Sequence, residues 1–441
     1  MRQKLEKWWK RIIAVGLVIS LLSVGFVIYP KQQKIVLTFG MFAGNKWDVP
    51  DDNCYQMIDQ VIKEFEKEYP NVTIKYESGV MKDDYSEWLS QKALKGDLPD
   101  VFMVLPEDFS TFSSVGMLKN LDSYTKIDKA FKKSNYYEGS YDAGTYKGTQ
   151  YALPYESVPT LMLVNKTLLK KEHIKMPGNH WTWDDFYNIC ENVTKDIDGD
   201  NILDQFGVYG YDWKHAIYSN DALLINKDGY VNVTDENFIE SVEFMRKLSS
   251  INNNIVLTSE MFDKGQIVFC PMDLSQYRTY KPYPWRVKKY SSFKWDVIPL
   301  PKGPKGDNTS IIQTSLIGVK NNSYGKNELA FEFANYLSSS IEVQSNIIKY
   351  SQGLSVLKKA TNSYNTMQVL LEDTPDNSDL NLSILDEVMN KGIPLPSNIN
   401  YIKSSEIIDL QLSSIVNSDE SLDIALLRLK KKIMNYIRNE S

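Results

Sequence analysis

The sequence predicts a two-lobed α/β fold preceded by an N-terminal transmembrane helix, and three observations predict it. The chain has 441 residues, more than one hydrophobic core ordinarily holds. Its first folded stretch alternates strand and helix patterns. Its first thirty residues pass from basic to apolar.

At the N-terminus, Arg2, Lys4, Lys7, Lys10 and Arg11 precede an uncharged run from Ile12 to Tyr29, near the lower limit for a helix that crosses a bilayer. Basic flanks stay in the cytoplasm, so residues 1–30 are expected to form a cytoplasmic stub and a signal anchor. The body after Pro30 is then expected on the extracellular face of the cell membrane. Ser23 and Gly25 make a weak small-x-small pattern and apolar residues continue past it, which favours an uncleaved anchor. A lipid-bearing cysteine would stand just behind the apolar run, whereas the first cysteine is Cys54, inside the folded region.

Ile35 to Phe39 reads as a strand. Ile58, Val61, Ile62, Phe65 and Tyr69 then recur at helical spacing, and Val72, Ile74 and Tyr76 alternate as in a second strand. This is a βαβ unit. After the turn Gly96-Asp97-Leu98-Pro99-Asp100, the apolar run Val101 to Leu105 fits a strand buried on both faces. Thr182 is expected to cap a helix bearing Phe186, Ile189, Cys190 and Val193, and Thr234 another bearing Phe238, Val242, Met245 and Leu248. Beyond the turns at Pro299, Pro301, Gly303, Pro304 and Gly306, Ile311 to Val319 reads as strand and Leu329 to Leu337 as helix. No fixed-period repeat or low-complexity linker separates the lobes, as expected where the chain crosses between them several times.

A net charge of −6 and a pI near 5.4, with no clustered basic stripe, exclude a nucleic-acid footprint. Cys54, Cys190 and Cys270 lie far apart and lack metal or redox spacing, so they read as buried thiols. His173, His180 and His215 stand outside any GxSxG or HExxH context. A secreted glycosidase or lyase would need paired carboxylates at a fixed separation, an alternative that an acid-rich sequence leaves open.

Several stretches carry a resemblance in co-linear order. They are Glu64-Phe65-Glu66-Lys67-Glu68-Tyr69-Pro70-Asn71-Val72, Gly96 to Val101, Leu153-Pro154-Tyr155-Glu156 with Asn165-Lys166, and Gly265-Gln266-Ile267-Val268-Phe269. Trp295 to Gly303, Ala330 to Leu337 and a C-terminal amphipathic helix opening at Ile424-Ala425-Leu426 follow. Together they resemble extracellular solute-binding protein family 1, the maltose-binding-like substrate receptors of ABC importers. The resemblance implies a type II periplasmic-binding-protein-like fold with an interlobe hinge. Lobe 1 would be 35–153 plus 297–345 and lobe 2 would be 154–296 plus 346–441. It further implies a monomeric receptor that is not an enzyme, takes a carbohydrate, needs no cofactor and meets ABC permease subunits in the membrane. A membrane-tethered ligand-binding domain of a sugar-sensing system is the alternative output of the same fold. The absent lipoprotein cysteine departs from the family pattern.

Sugars present hydroxyl groups and apolar C–H faces, so their receptors need rings beside carboxylates or amides. Ligands lie outside the carboxyl ends of strands in α/β lobes, which selects the residues after each strand. Behind the first strand, Met41, Phe42, Asn45, Trp47 and Asp48 form a loop in which Trp47 is the expected stacking ring. Glu107 and Asp108 follow the third strand, and the resemblance places a ligand-binding carboxylate at Glu107 and a further contact at Tyr155 and Glu156. Tyr209, Tyr211, Trp213, Tyr218 and Asn220 resemble the family's aromatic platform, with Trp213 foremost. After Phe269, where family members carry a ligand-facing tryptophan, this chain has Met272, Asp273, Ser275 and Tyr277, so Tyr277 or Trp285 would substitute. Gln313, Thr314 and Ser315 are expected to line the cleft from the first lobe.

A separate signal runs from Asp196 to Asp204, where Asp196, Asp198, Asp200, Ile202 and Asp204 alternate as ligand positions for a structural calcium ion. The loop departs from an EF-hand, since Gly199 falls one place early and Gly207 stands where the bidentate glutamate belongs. The bland reading is a polar turn held by its own Asx hydrogen bonds.

Overall fold

A computed structural model describes residues 8, 34–43, 52–127, 131–225, 230–253, 255–279, 293–323, 325–373, 382–396 and 399–439. Apart from Trp8, the expected anchor at residues 1–30 lies outside them. Among the described residues no helix is long and apolar enough to cross a membrane.

Twelve strands follow in chain order among these residues: β1 (Ile35–Gly40), β2 (Val72–Tyr76), β3 (Val101–Val104), β4 (Thr145–Tyr146), β5 (Thr149–Gln150), β6 (Ala152–Asn165), β7 (Phe206–Val208), β8 (Ile267–Asp273), β9 (Trp295–Ile298), β10 (Ile311–Val319), β11 (Leu354–Ser355) and β12 (Ile393–Pro394). The main sheet runs β2-β1-β3-β10-β6-β8-β7. β1 pairs in parallel with β2 and β3, which realises the expected βαβ unit around the helix Asp52–Glu68.

β6 is the strand that both halves share. Its first half pairs with β10 and its second half with β8 and β9. Every β6 residue but Glu156 is buried, and the strand's second half accordingly carries the unbroken apolar run Leu161 to Val164. β9 stays with the second half of β6. The expected lobe boundary at residue 297 falls inside that strand, and the chain rejoins the first half of β6 only at β10.

The first core gathers Leu37 and Phe39 of β1, Val61 and Phe65 of the helix Asp52–Glu68, and Phe331 and Phe333 of the helix Asn327–Ser339. Phe333 meets Phe39 and Phe65 edge-on at 5.4 and 5.1 Å, contacts of about 0.5–1.5 kcal/mol each beyond area burial. They fasten a helix from late in the sequence to the opening βαβ unit. The second half holds separate clusters, one around Trp181, Phe186 and Phe269, another in which Ile217 and Phe238 pack against Leu412 and Leu426 of the C-terminal helices.

Local chemistry sets the helix starts. Thr182 caps Trp183–Val193 in a reciprocal pair with Asp185, as the sequence indicates. The expected cap at Thr234 shifts by one residue. Asp235 accepts the Asn237 amide at the start of Glu236–Ser250, while Thr234 takes a hydrogen bond from Lys430. A carboxylate at that end also gains from the helix dipole.

Candidate functional site

The carboxyl ends of β1 and β3 open on a pocket of about 890 Å³, counting its mouth. Met41 and Phe42 follow β1, and Leu105, Pro106 and Glu107 follow β3, where the helix Pro106–Ser114 begins. Opposite them stand Tyr155, Glu156 and Val158 of β6 and Gln313 and Ser315 of β10. Tyr350 and Ser351 close one side.

The β6–β10 register slips between Ser315 and Leu316, so that Ser315 faces Glu156 and Leu316 faces Pro154. Tyr155 is the extra residue of this bulge. Strict alternation would send Tyr155 and Glu156 to opposite faces, and the bulge brings both to the pocket. On β10 the alternation holds: Gln313 and Ser315 reach the pocket, while Thr314 points away and shares a hydrogen bond with Ser157 at 2.8 Å.

Ser351 donates to Glu156 Oε1 at 2.8 Å. The corner that carries Ser351 is held in turn by Arg278, whose guanidinium donates to the carbonyls of Ser351 and Ile348 at 2.7 and 2.8 Å. These are end carbonyls of the helix Ile341–Tyr350, which a cation satisfies and complements in charge. Lys82, at the first position of the helix Lys82–Leu94, also lines the pocket.

Of the residues expected at the ligand, Glu107, Tyr155 and Glu156 meet in this pocket. Asp108 turns aside to accept from Ser86, and burial foremost, with the neighbouring Glu107 carboxylate, raises its pKa above the ordinary range. Asp273 stands behind the pocket, receiving Thr160 Oγ1 at 3.0 Å and Gln313 Nε2 at 3.3 Å. Tyr277 is only 2% exposed and packs in the core with Leu274 and Phe262, because its short helix turns that face inward. Trp47 and Trp285 lie outside the described residues. Met57, Ile58, Lys82, Met103, Tyr350 and Ser351 escaped sequence reasoning. The first two read as helix core, and the last two approach from some two hundred residues away.

Tyr211 and Trp213 belong to a second groove, shared with Met245, Ser249, Asp409 and Ser413. Trp213 Nε1 donates to Asp409 at 2.6 Å, and the Tyr211 hydroxyl accepts from Trp183 at 3.1 Å. Asp212, between them in sequence, caps the helix Trp213–Ser219 by accepting the amides of Lys214 and His215. Burial is the largest single influence and acts upward on this carboxyl, yet the charge and hydrogen bonds of His215 together with the Lys214 charge outweigh it and bring its pKa down to about 2. A depressed carboxylate contributes stability that is complete above its unfolded value near 4 and is lost as pH falls toward 2. Melting temperatures measured from pH 5 to pH 2 are therefore expected to fall more steeply for the natural chain than for Asp212→Asn.

In the acidic loop, one carboxylate oxygen each from Asp196, Asp198 and Asp204 lies within 4.8 Å of the others. Asp200 instead accepts the Ile202 amide. Asp196 accepts the amides of Gly199 and Asn201, which hold its pKa below the ordinary carboxylate range. Gly207 has a packing reason: a Cβ there would stand 2.4 Å from Cys190 Cβ, so no glutamate fits.

The model of the bacterial extracellular solute-binding proteins matches residues 55–343 of this chain. The chain belongs to that family. Solved structures agree on the architecture. An ABC substrate-binding protein of Listeria monocytogenes, solved in complex with cycloalternan, superposes with a TM-score of 0.65 at 21% identity, covering 92% of this solute-binding protein and 99% of its own chain. A cyclic α-maltosyl-1,6-maltose binding protein of Arthrobacter globiformis gives 0.74 at 16% identity over 92% and 99%, and the sugar-binding protein MalE of Xanthomonas citri gives 0.74 at 16% over 92% and 98%. An uncharacterized lipoprotein of Streptomyces antibioticus is 24% identical over 137 residues, 31% of this chain and 30% of that relative, so the chain matches under a third of its length. The solute-binding protein has the two-lobed α/β periplasmic-binding-protein fold.

Proposed function

We propose that the chain captures a sugar or oligosaccharide outside the cell and hands it unchanged to the permease of an ABC importer. The observation that carries this reading is the composition of the pocket. The rings of Phe42, Tyr155 and Tyr350 suit C–H faces, and Glu107, Glu156, Gln313 and Ser315 offer the hydrogen-bonding partners that hydroxyl groups require. A neighbour solved in complex with cycloalternan and another named for binding cyclic α-maltosyl-1,6-maltose support the ligand class. Residues 1–30 serve as an uncleaved membrane anchor, and the lobes close by hinge motion about β6 and β10. Ligand stabilises the closed form by its differential affinity for it.

The full chain, screened for melting temperature against mono- and oligosaccharides, should gain roughly 2.7 kcal/mol at one hundred times Kd from its ligand. No shift with any sugar would refute the ligand class. The Asp196–Asp204 loop is further proposed to hold calcium weakly, its fit resting on the three converging carboxylates. Calorimetry at millimolar calcium should register heat that Asp198→Asn reduces, and an absence of heat would remove the ion.

A further inference from the structure

The lining of the pocket narrows the ligand beyond a sugar in general, and the narrowing rests on the sugar-receptor reading. We propose that the solute is a saccharide whose buried end carries a methyl group, as a 6-deoxy or an N-acetyl sugar does. This methyl group packs against a thioether and aliphatic wall built by Met41, Met57, Ile58, Met103, Leu105 and Val158.

The wall is composed, since its members come from four different places. Met41 lies behind β1, Met57 and Ile58 on the helix Asp52–Glu68, Met103 and Leu105 at the end of β3, and Val158 on β6. All six are between 2% and 6% exposed, so they form a floor rather than a rim. None of these side chains donates a hydrogen bond, and thioether sulfur is only a weak acceptor. A sugar hydroxyl driven against the wall would give up water without replacement, a cost that an unsubstituted sugar meets wherever its rim of hydroxyls points. The flat C–H faces of sugar rings are already served by Phe42, Tyr155 and Tyr350. A methyl substituent is the group that uses the wall, and unbranched methionines adapt their shape to it.

Polar groups complete the lining, Lys82 among them. Glu107, Glu156, Gln313, Ser315 and Ser351 supply carboxylates, an amide and hydroxyls to the rest of the ligand. The binding mode therefore seats the methyl group on the apolar floor while the hydroxyl groups meet the polar side chains around it.

The test is calorimetry on the full chain with two matched pairs: L-rhamnose against L-mannose, and N,N′-diacetylchitobiose against its N,N′-diformyl analogue, which lacks only the methyl groups. Within at least one pair the methyl-bearing member should bind about ten-fold tighter, the lower end of what one methyl group is worth in a hydrophobic pocket. The winning pair tells a deoxy from an acetyl source. Val158→Thr, which places a hydroxyl in the wall at constant shape, should cut that preference to roughly three-fold or less, and the natural chain decides the matter should the variant not fold. Binding in which the members without the methyl group match or exceed the methyl-bearing ones overturns the inference and leaves the sugar reading standing. No binding by these four or by the wider sugar panel overturns both.

Discussion

Replacing Glu107 with alanine is expected to weaken sugar binding by roughly 10- to 100-fold, the span of a lost hydrogen bond to a charged group, with little change in melting temperature. The side chain is exposed in the first turn of the helix Pro106–Ser114, and its carboxylate lines the pocket. Its share in fold stability is the modest helix-dipole contribution of about 0.3–1 kcal/mol. Asp108→Ala is the matched control. That carboxyl is committed to Ser86 and turned away from the pocket, so its removal should spare affinity whatever it does to the melting temperature. Calorimetric titration and thermal melts on both variants separate the two roles. Equal affinity of Glu107→Ala and the natural chain would remove Glu107 from the ligand site.

Trp181→Ala is expected to produce the largest loss of stability, about 3–5 kcal/mol from a truncated buried aromatic. The ring is 3% exposed and sits 5.3 Å from Phe186 and 5.1 Å from Phe269, joining the helix Trp183–Val193 to β8. Its Nε1 donates to the Pro299 carbonyl at 2.8 Å, and its own carbonyl accepts from Asn308 and Lys302. Truncation thus opens a cavity and also strands a buried acceptor. Trp181→Phe keeps most of the packing and loses the hydrogen bond, so it should fall between the two in chemical denaturation. A loss below about 1 kcal/mol for the alanine variant would show that this cluster does not hold the second half together.

The pocket was half legible in the sequence. Glu107 could be found because strand ends announce where ligands lie and the turn and strand patterns locate those ends, whereas Glu156, inside β6, was reached only through the family resemblance. Tyr350 and Ser351 could not, since their approach depends on Arg278 gripping a helix end seventy residues onward, a contact that no local pattern records. Tyr277 misled for the opposite reason. A tyrosine one turn beyond a strand reads the same whether its helix faces the cleft or the core, and here it faces the core.

Periodicity by itself determined the α/β class, the βαβ opening, the cap at Thr182 and the extent of β10, because each depends on side chains within a turn or two along the chain. Only the tertiary structure decided how β6 presents its residues. The bulge at Tyr155 arises from pairing with β10, some 160 residues later, and a one-residue slip in a ladder of period two reverses the face of everything beyond it. Tyr155 and Glu156 share a pocket for that reason, although their adjacency in sequence predicts opposite faces.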